Sequence, residues 1–85
     1  MRKYKISSRH GDYTYTLIVK KSLFSKRYKV IVKKKETYGI EAPSSVYRAS
    51  SKDFNTILDI LRDDVGERYP FFSLNLVLIE KLLTE

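Results

Sequence analysis

The stretch Lys20-Lys21-Ser22-Leu23-Phe24-Ser25-Lys26-Arg27 sets two apolar side chains between two pairs of bases. Lys and Arg bind phosphate oxygens, serine hydroxyls can add donors, and an aromatic ring can stack on a base or wedge between base steps. Two other roles suit the same residues. Leu23 and Phe24 could fold back to extend the core, or Phe24 could anchor a protein interface ringed by charge. Their exposure separates these readings: if both are buried, the wedge and the anchor fail. Lys33-Lys34-Lys35 is a second basic cluster, suited to phosphate contact or to a solvated strand end. Tyr38 and Tyr47, in irregular sequence, are the tyrosines best placed to be exposed stacking surfaces.

Catalytic chemistry has no comparable set of residues. His10 is the only histidine, beside Gly11 in an expected turn, and there is no cysteine, so thiolate and multi-histidine zinc sites are excluded. Asp63, Asp64 and Glu67 are close together but read as the solvated face of a helix. No Ser/His/Asp set, glycine-rich phosphate loop or paired acid and base stands out. The chain reads as non-enzymatic, without metal or cofactor. Small basic toxin ribonucleases do work with Arg, Lys and Tyr, but their helices precede the sheet, whereas here the sheet comes first.

Charge is divided unevenly. Residues 1–39 hold 12 of the 17 Lys/Arg and two acids, Asp12 and Glu36, a net +10, while residues 40–85 carry −3. That asymmetry points to a polyanionic or acidic partner, either nucleic acid or a nucleic-acid-processing protein. The longest apolar run, Leu76–Ile79, is far short of the roughly 20 residues of a membrane span, and no apolar segment follows the charged N-terminus as in a secretory signal. The expectation is a protein without membrane association, cytoplasmic, or in the host cytoplasm if viral.

These residues must be positioned by one domain, 1–85, with a basic antiparallel sheet over 1–41 and two helices over 50–85. Residues 3–9 alternate weakly, with Tyr4, Ile6 and Ser8 on one side. Residues 13–20 alternate clearly, Tyr13, Tyr15, Leu17 and Val19 against Thr14, Thr16, Ile18 and Lys20, and residues 27–33 set Tyr28, Val30 and Val32 against Lys29, Ile31 and Lys33. His10-Gly11-Asp12 makes the first turn, and a weak fourth strand falls near Tyr38–Glu41. Ser50-Ser51-Lys52-Asp53 reads as a capping box opening a helix, with Phe54, Ile57, Leu58, Leu61 and Val65 as its apolar stripe and Gly66 as its terminator. From Phe71 to Leu83 the pattern fits a helix with Phe72, Leu76, Ile79 and Leu83 in one row, or a strand over 71–79; its helix formers favour the helix. An exposed Leu78/Leu82 row would favour a homodimer through it.

The fold class is therefore α+β: a three- to four-stranded antiparallel sheet followed by two helices on one face. Hairpin topology gathers Arg2, Lys3, Lys20, Lys21, Lys26 and Arg27 at one end of the sheet. Arg9 and Lys33, Lys34 and Lys35 gather at the other, with Lys5 and Lys29 between. The candidate binding surface is this basic stripe plus Phe24.

Two resemblances follow from this organisation. Residues 13–65, three strands and a helix with a basic exposed sheet, are similar to arm-type DNA-binding domains of integrases, which lay a sheet in the major groove. The whole chain, a sheet and then a helix opened by Ser50-Ser51-Lys52-Asp53 and a second helix, resembles small phage-encoded anti-CRISPR proteins. That resemblance implies inhibition by binding a nucleic-acid-processing effector, and the strongly basic half departs from the acidic character of many such inhibitors.

Overall fold

The structure, a computed structural model, describes residues 2–22 and 24–84. Four strands follow one another as an antiparallel meander: β1 (Arg2–His10), β2 (Tyr13–Lys21), β3 (Tyr28–Glu36) and β4 (Ser44–Ser51), in the order β1-β2-β3-β4. The period of two expected from the sequence decides which face is covered, because adjacent residues of a strand point to opposite sides. Leu17, Val19, Val30 and Val32 are fully buried on one face, with Ile6, Tyr15, Tyr28 and Tyr47 packed against them. Gly11 takes the first position of the two-residue β1–β2 turn with φ +64°, where a glycine costs little.

The helical layer covers that face. It begins with α1 (Phe54–Asp59), continues through a π-helical segment (Ile60–Val65) into α2 (Gly66–Arg68), and after a 3-10 turn (Pro70–Phe72) ends with α3 (Ser73–Thr84). The predicted stripe is the buried one: Ile57, Leu61 and Val65 from the first helical run and Phe72, Leu76 and Ile79 from the second meet the sheet in one core. The segment after Phe71 is thus a helix, and Leu83 packs beside its buried row. An aromatic cluster of Tyr15, Tyr69, Phe71 and Phe72 fills one end of the layer, and Tyr28 against Phe54 fills the other.

Three boundaries differ from the sequence expectation. The fourth strand is not at Tyr38–Glu41, which forms a turn and bend, but at Ser44–Ser51, directly after Pro43. Tyr47, Ala49 and Ser51 alternate with Arg48 and Ser50, and a bulge at Val32/Lys33 leaves Val46 without a partner residue. The sheet therefore runs to residue 51, past the expected limit of 41, and Ser50 lies in a strand, not at a helix start. The N-cap is Asp53, which accepts from the Asn55 amide at 3.3 Å and from the Thr56 hydroxyl at 2.7 Å. Gly66 does not end the helix either. Its φ is −62° and its N–H donates to Leu61 C=O, five residues back, as in a π-turn. The stop comes at Tyr69-Pro70, where proline pushes the preceding residue out of helical geometry (φ −131°).

Candidate nucleic-acid interface

The face of the sheet opposite the helices is built by cross-strand register. Lys3, Lys20 and Lys29 stand side by side on three adjacent strands, with Ser50 completing the row. The next row is Lys5, Ile18, Ile31 and Arg48; then Ser7, Thr16, Lys33 and Ser45; then Arg9, Thr14 and Lys35. Neighbouring strands are about 4.8 Å apart and alternate residues along a strand about 6.8 Å. Eight cations thus share a grid of closely spaced positions, and among the described residues of this face there is no carboxylate.

Local chemistry keeps the grid open. Ile18, only 7% exposed, and half-buried Ile31 form an apolar floor under the ammonium groups, as lysine stems lie along apolar surface while their heads stay in water. A shallow depression of about 610 Å³ lies over that floor, lined by Lys20, Lys29, Ile31, Lys33, Arg48 and Ser50. Ser7 pairs its hydroxyl with that of Thr16 across β1 and β2 at 3.0 Å, and Thr14 of β2 with Thr37, just past the end of β3, at 2.9 Å. Arg48 donates to Ser45 at 3.3 Å and Arg27 to Ser50 at 3.4 Å, contacts that orient both guanidinium groups without neutralising them. The one ion pair among the described residues, Arg62 with Glu80 at 2.8 Å, is in the helical layer and pushes the Arg62 pKa up.

The structure sorts the sequence-predicted residues. Lys3, Lys5, Lys20, Lys29, Lys33 and Lys35 share the open face, and Lys26, Arg27 and Phe24 belong to the loop at its Lys20/Lys29 end. The Arg2 backbone pairs with Lys21 at that same end, but its side chain and Leu23 lie outside the described residues. Lys21 and Lys34 do not join the face. Each occupies a position paired with the helix-covered side, where Lys21 Nζ sits 5.2 Å from the Tyr28 ring and Lys34 Nζ 4.1 Å from that of Tyr13. Lys33, Lys34 and Lys35 do not share one face, because adjacent strand residues point to opposite sides.

Arg48 falls outside the sequence-derived surface because the sequence suggests a fourth strand at Tyr38–Glu41; the alternation Tyr47-Arg48-Ala49 is the signal that marks it. Arg9, expected at the far end of the stripe, stands in the same row as Lys35. Of the two tyrosines read as stacking surfaces, Tyr38 is 84% exposed, though Arg9 lies over its ring at 5.1 Å and donates to its hydroxyl at 3.0 Å. Tyr47 is not free. It faces the helical layer, donates to Asp64 at 3.0 Å, and has Arg68 over its ring; burial first, then that hydrogen bond, pushes its pKa up to about 12.

His10 is exposed and stacks on Phe71 at 4.8 Å. Among the described residues no group of His, Cys, Asp or Glu side chains could hold a metal ion, and no helix is long and apolar enough to cross a membrane. Comparison with family models, with curated proteins and with solved structures finds no match to this chain.

Proposed function

We propose that this chain is a non-enzymatic binding protein that holds nucleic acid against its open sheet face, mainly through phosphates. The observation that carries the reading is the row Lys3, Lys20 and Lys29, three like charges directly opposite one another across strands. Such pairs destabilise a sheet, and a polyanion laid across the row would neutralise them. The composition of the face also argues for phosphate over base readout. It offers Lys, Arg, Ser and Thr but neither Asn nor Gln, the residues that pair with adenine edges; the chain has no glutamine, and Asn55 and Asn75 lie in helices. Any base readout by this face would fall to its Lys and Arg side chains, which suit guanine edges.

The test is anisotropy binding to duplex DNA, single-stranded DNA and RNA across a salt series, with Lys20→Glu plus Lys29→Glu beside the native chain. Engagement of five to eight phosphates gives a log–log salt slope of about −5 to −7 on duplex. The double reversal is expected to weaken binding about tenfold or more. Equal binding by that variant would refute the assignment. Fully exposed Phe24, ringed by bases, also supports a second reading, an anchor docking into an acidic pocket of a nucleic-acid-processing protein, as a phage-type inhibitor would. Weak binding to all three nucleic acids, vanishing near physiological salt, would transfer the assignment to that reading.

A further inference from the structure

Two hydrogen bonds tie described residues of the loop after β2 to one another. Ser22 N–H donates to Arg27 C=O at 3.0 Å and closes a four-residue tip, and Ser25 N–H donates to the Ser22 hydroxyl at 3.4 Å. The chain turns back through Lys26 at φ +54°, a left-handed conformation unfavourable for a residue with a Cβ. Arg27 ties the base of the loop to Ser50 on β4. The product of this constrained turn is Phe24, fully exposed, with no ring stacked on it among the described residues. What sets Phe24 apart from the other exposed apolar side chains, such as Ile40 and Leu74, is its place at the end of a cationic face on a turn constrained by these hydrogen bonds.

We propose that Phe24 is a wedge: it inserts against the bases of nucleic acid held on the sheet and unstacks one base step at the Lys20/Lys29 end. The inference rests on the reading of the face as a phosphate-binding surface. That surface carries no aromatic side chain of its own, so a chain lying on it finds a stacking partner at this end only at the loop tip. Lys20, Lys26 and Arg27 lie at the same end of the sheet and would meet the phosphates beside the opened step. Every base has a π-face, so the contact is sequence-tolerant. Where the partner is duplex, flexible pyrimidine–purine steps open most cheaply and are preferred.

The chain contains no tryptophan, so Phe24→Trp places its only indole at the loop tip. Indole emission and iodide accessibility are followed on adding a short duplex with a central TA step, the same duplex with an A-tract, or vesicles containing phosphatidylserine, while anisotropy of the labelled DNA reports binding independently. The expected result is quenching and iodide protection on DNA, greater on the TA duplex. Phe24→Ala is expected to bind about fivefold to a hundredfold more weakly, the range of one base–aromatic stack, with an unchanged salt slope. Native-like DNA binding by Phe24→Ala, with the indole still open to iodide, would overturn the wedge and leave the phosphate surface intact. No binding of any nucleic acid would remove the phosphate reading and the wedge with it. A blue shift on vesicles without quenching by DNA would reassign the tip to a lipid surface.

Discussion

Lys29 illustrates the conflict between stability and binding at single positions of the open face. Its exposed ammonium stands opposite Lys20, which itself stands opposite Lys3. Like charges in direct register cost about 0.2–1 kcal/mol relative to neutral pairs, and a β-branched residue suits the same site. Lys29→Thr is therefore expected to stabilise the free protein by a few tenths of a kcal/mol up to about 1 kcal/mol. Urea unfolding measures the gain, which should shrink as salt screens the repulsion. The same substitution is expected to weaken nucleic-acid binding and to reduce the salt slope by about 1. A variant that is both less stable and equally tight would show that Lys29 is held for packing and not for a partner. Tyr47 is the opposite case. Its hydroxyl is committed to Asp64 and its ring to Arg68, so its conspicuous place in the sequence reflects the seam between β4 and the helical layer.

Among the elements, the helix around Gly66 separates what the sequence reveals from what it hides. The apolar stripe Ile57, Leu61 and Val65 was legible because burial enforces its spacing. The helix end is not, because a glycine four residues before a proline suits either a left-handed cap or an ordinary helical residue. The structure makes it ordinary, with φ −62°, and a Cβ there would meet Leu61 O at 3.5 Å and Leu76 Cδ1 at 3.7 Å, both van der Waals distances. Gly66→Ala is accordingly expected to stabilise the fold by about 0.5–1 kcal/mol, by reducing the freedom of the unfolded chain. Thermal or urea unfolding decides it; a loss of stability of similar size would restore the left-handed cap. The faces of β1, β2 and β3 were read correctly because their period of two is strong. In β4 the apolar set is a half-exposed tyrosine and an alanine, amid serines that equally suit a cap. Without that strand the sequence gives no reason to select Arg48, and nearness in sequence groups Lys21 and Lys34 with cations that register puts on the other side.

Across the whole molecule, charge is segregated between two layers. The open sheet face holds its cations without a described carboxylate, whereas Asp53, Asp59, Asp63, Asp64, Glu67 and Glu80 belong to the helical side. A net +7 spread evenly would attract any polyanion weakly from all directions; here the charges described on one face are purely cationic, while the helical side mixes its acids with Lys52, Arg62, Arg68 and Lys81. The two cases separate when charge is moved without being changed. The four substitutions Lys20→Glu, Lys29→Glu, Asp59→Lys and Asp63→Lys keep the net charge at +7. All four positions are solvated or half-solvated, and Asp59 and Asp63 make no described hydrogen bond, so circular dichroism should report an unchanged fold. If placement governs binding, this chain is expected to bind nucleic acid about tenfold or more weakly than the native one at moderate salt. Equal affinity for the native and rearranged chains would mean that total charge does the attracting, and the ordered grid on the sheet would then have no part in recognition.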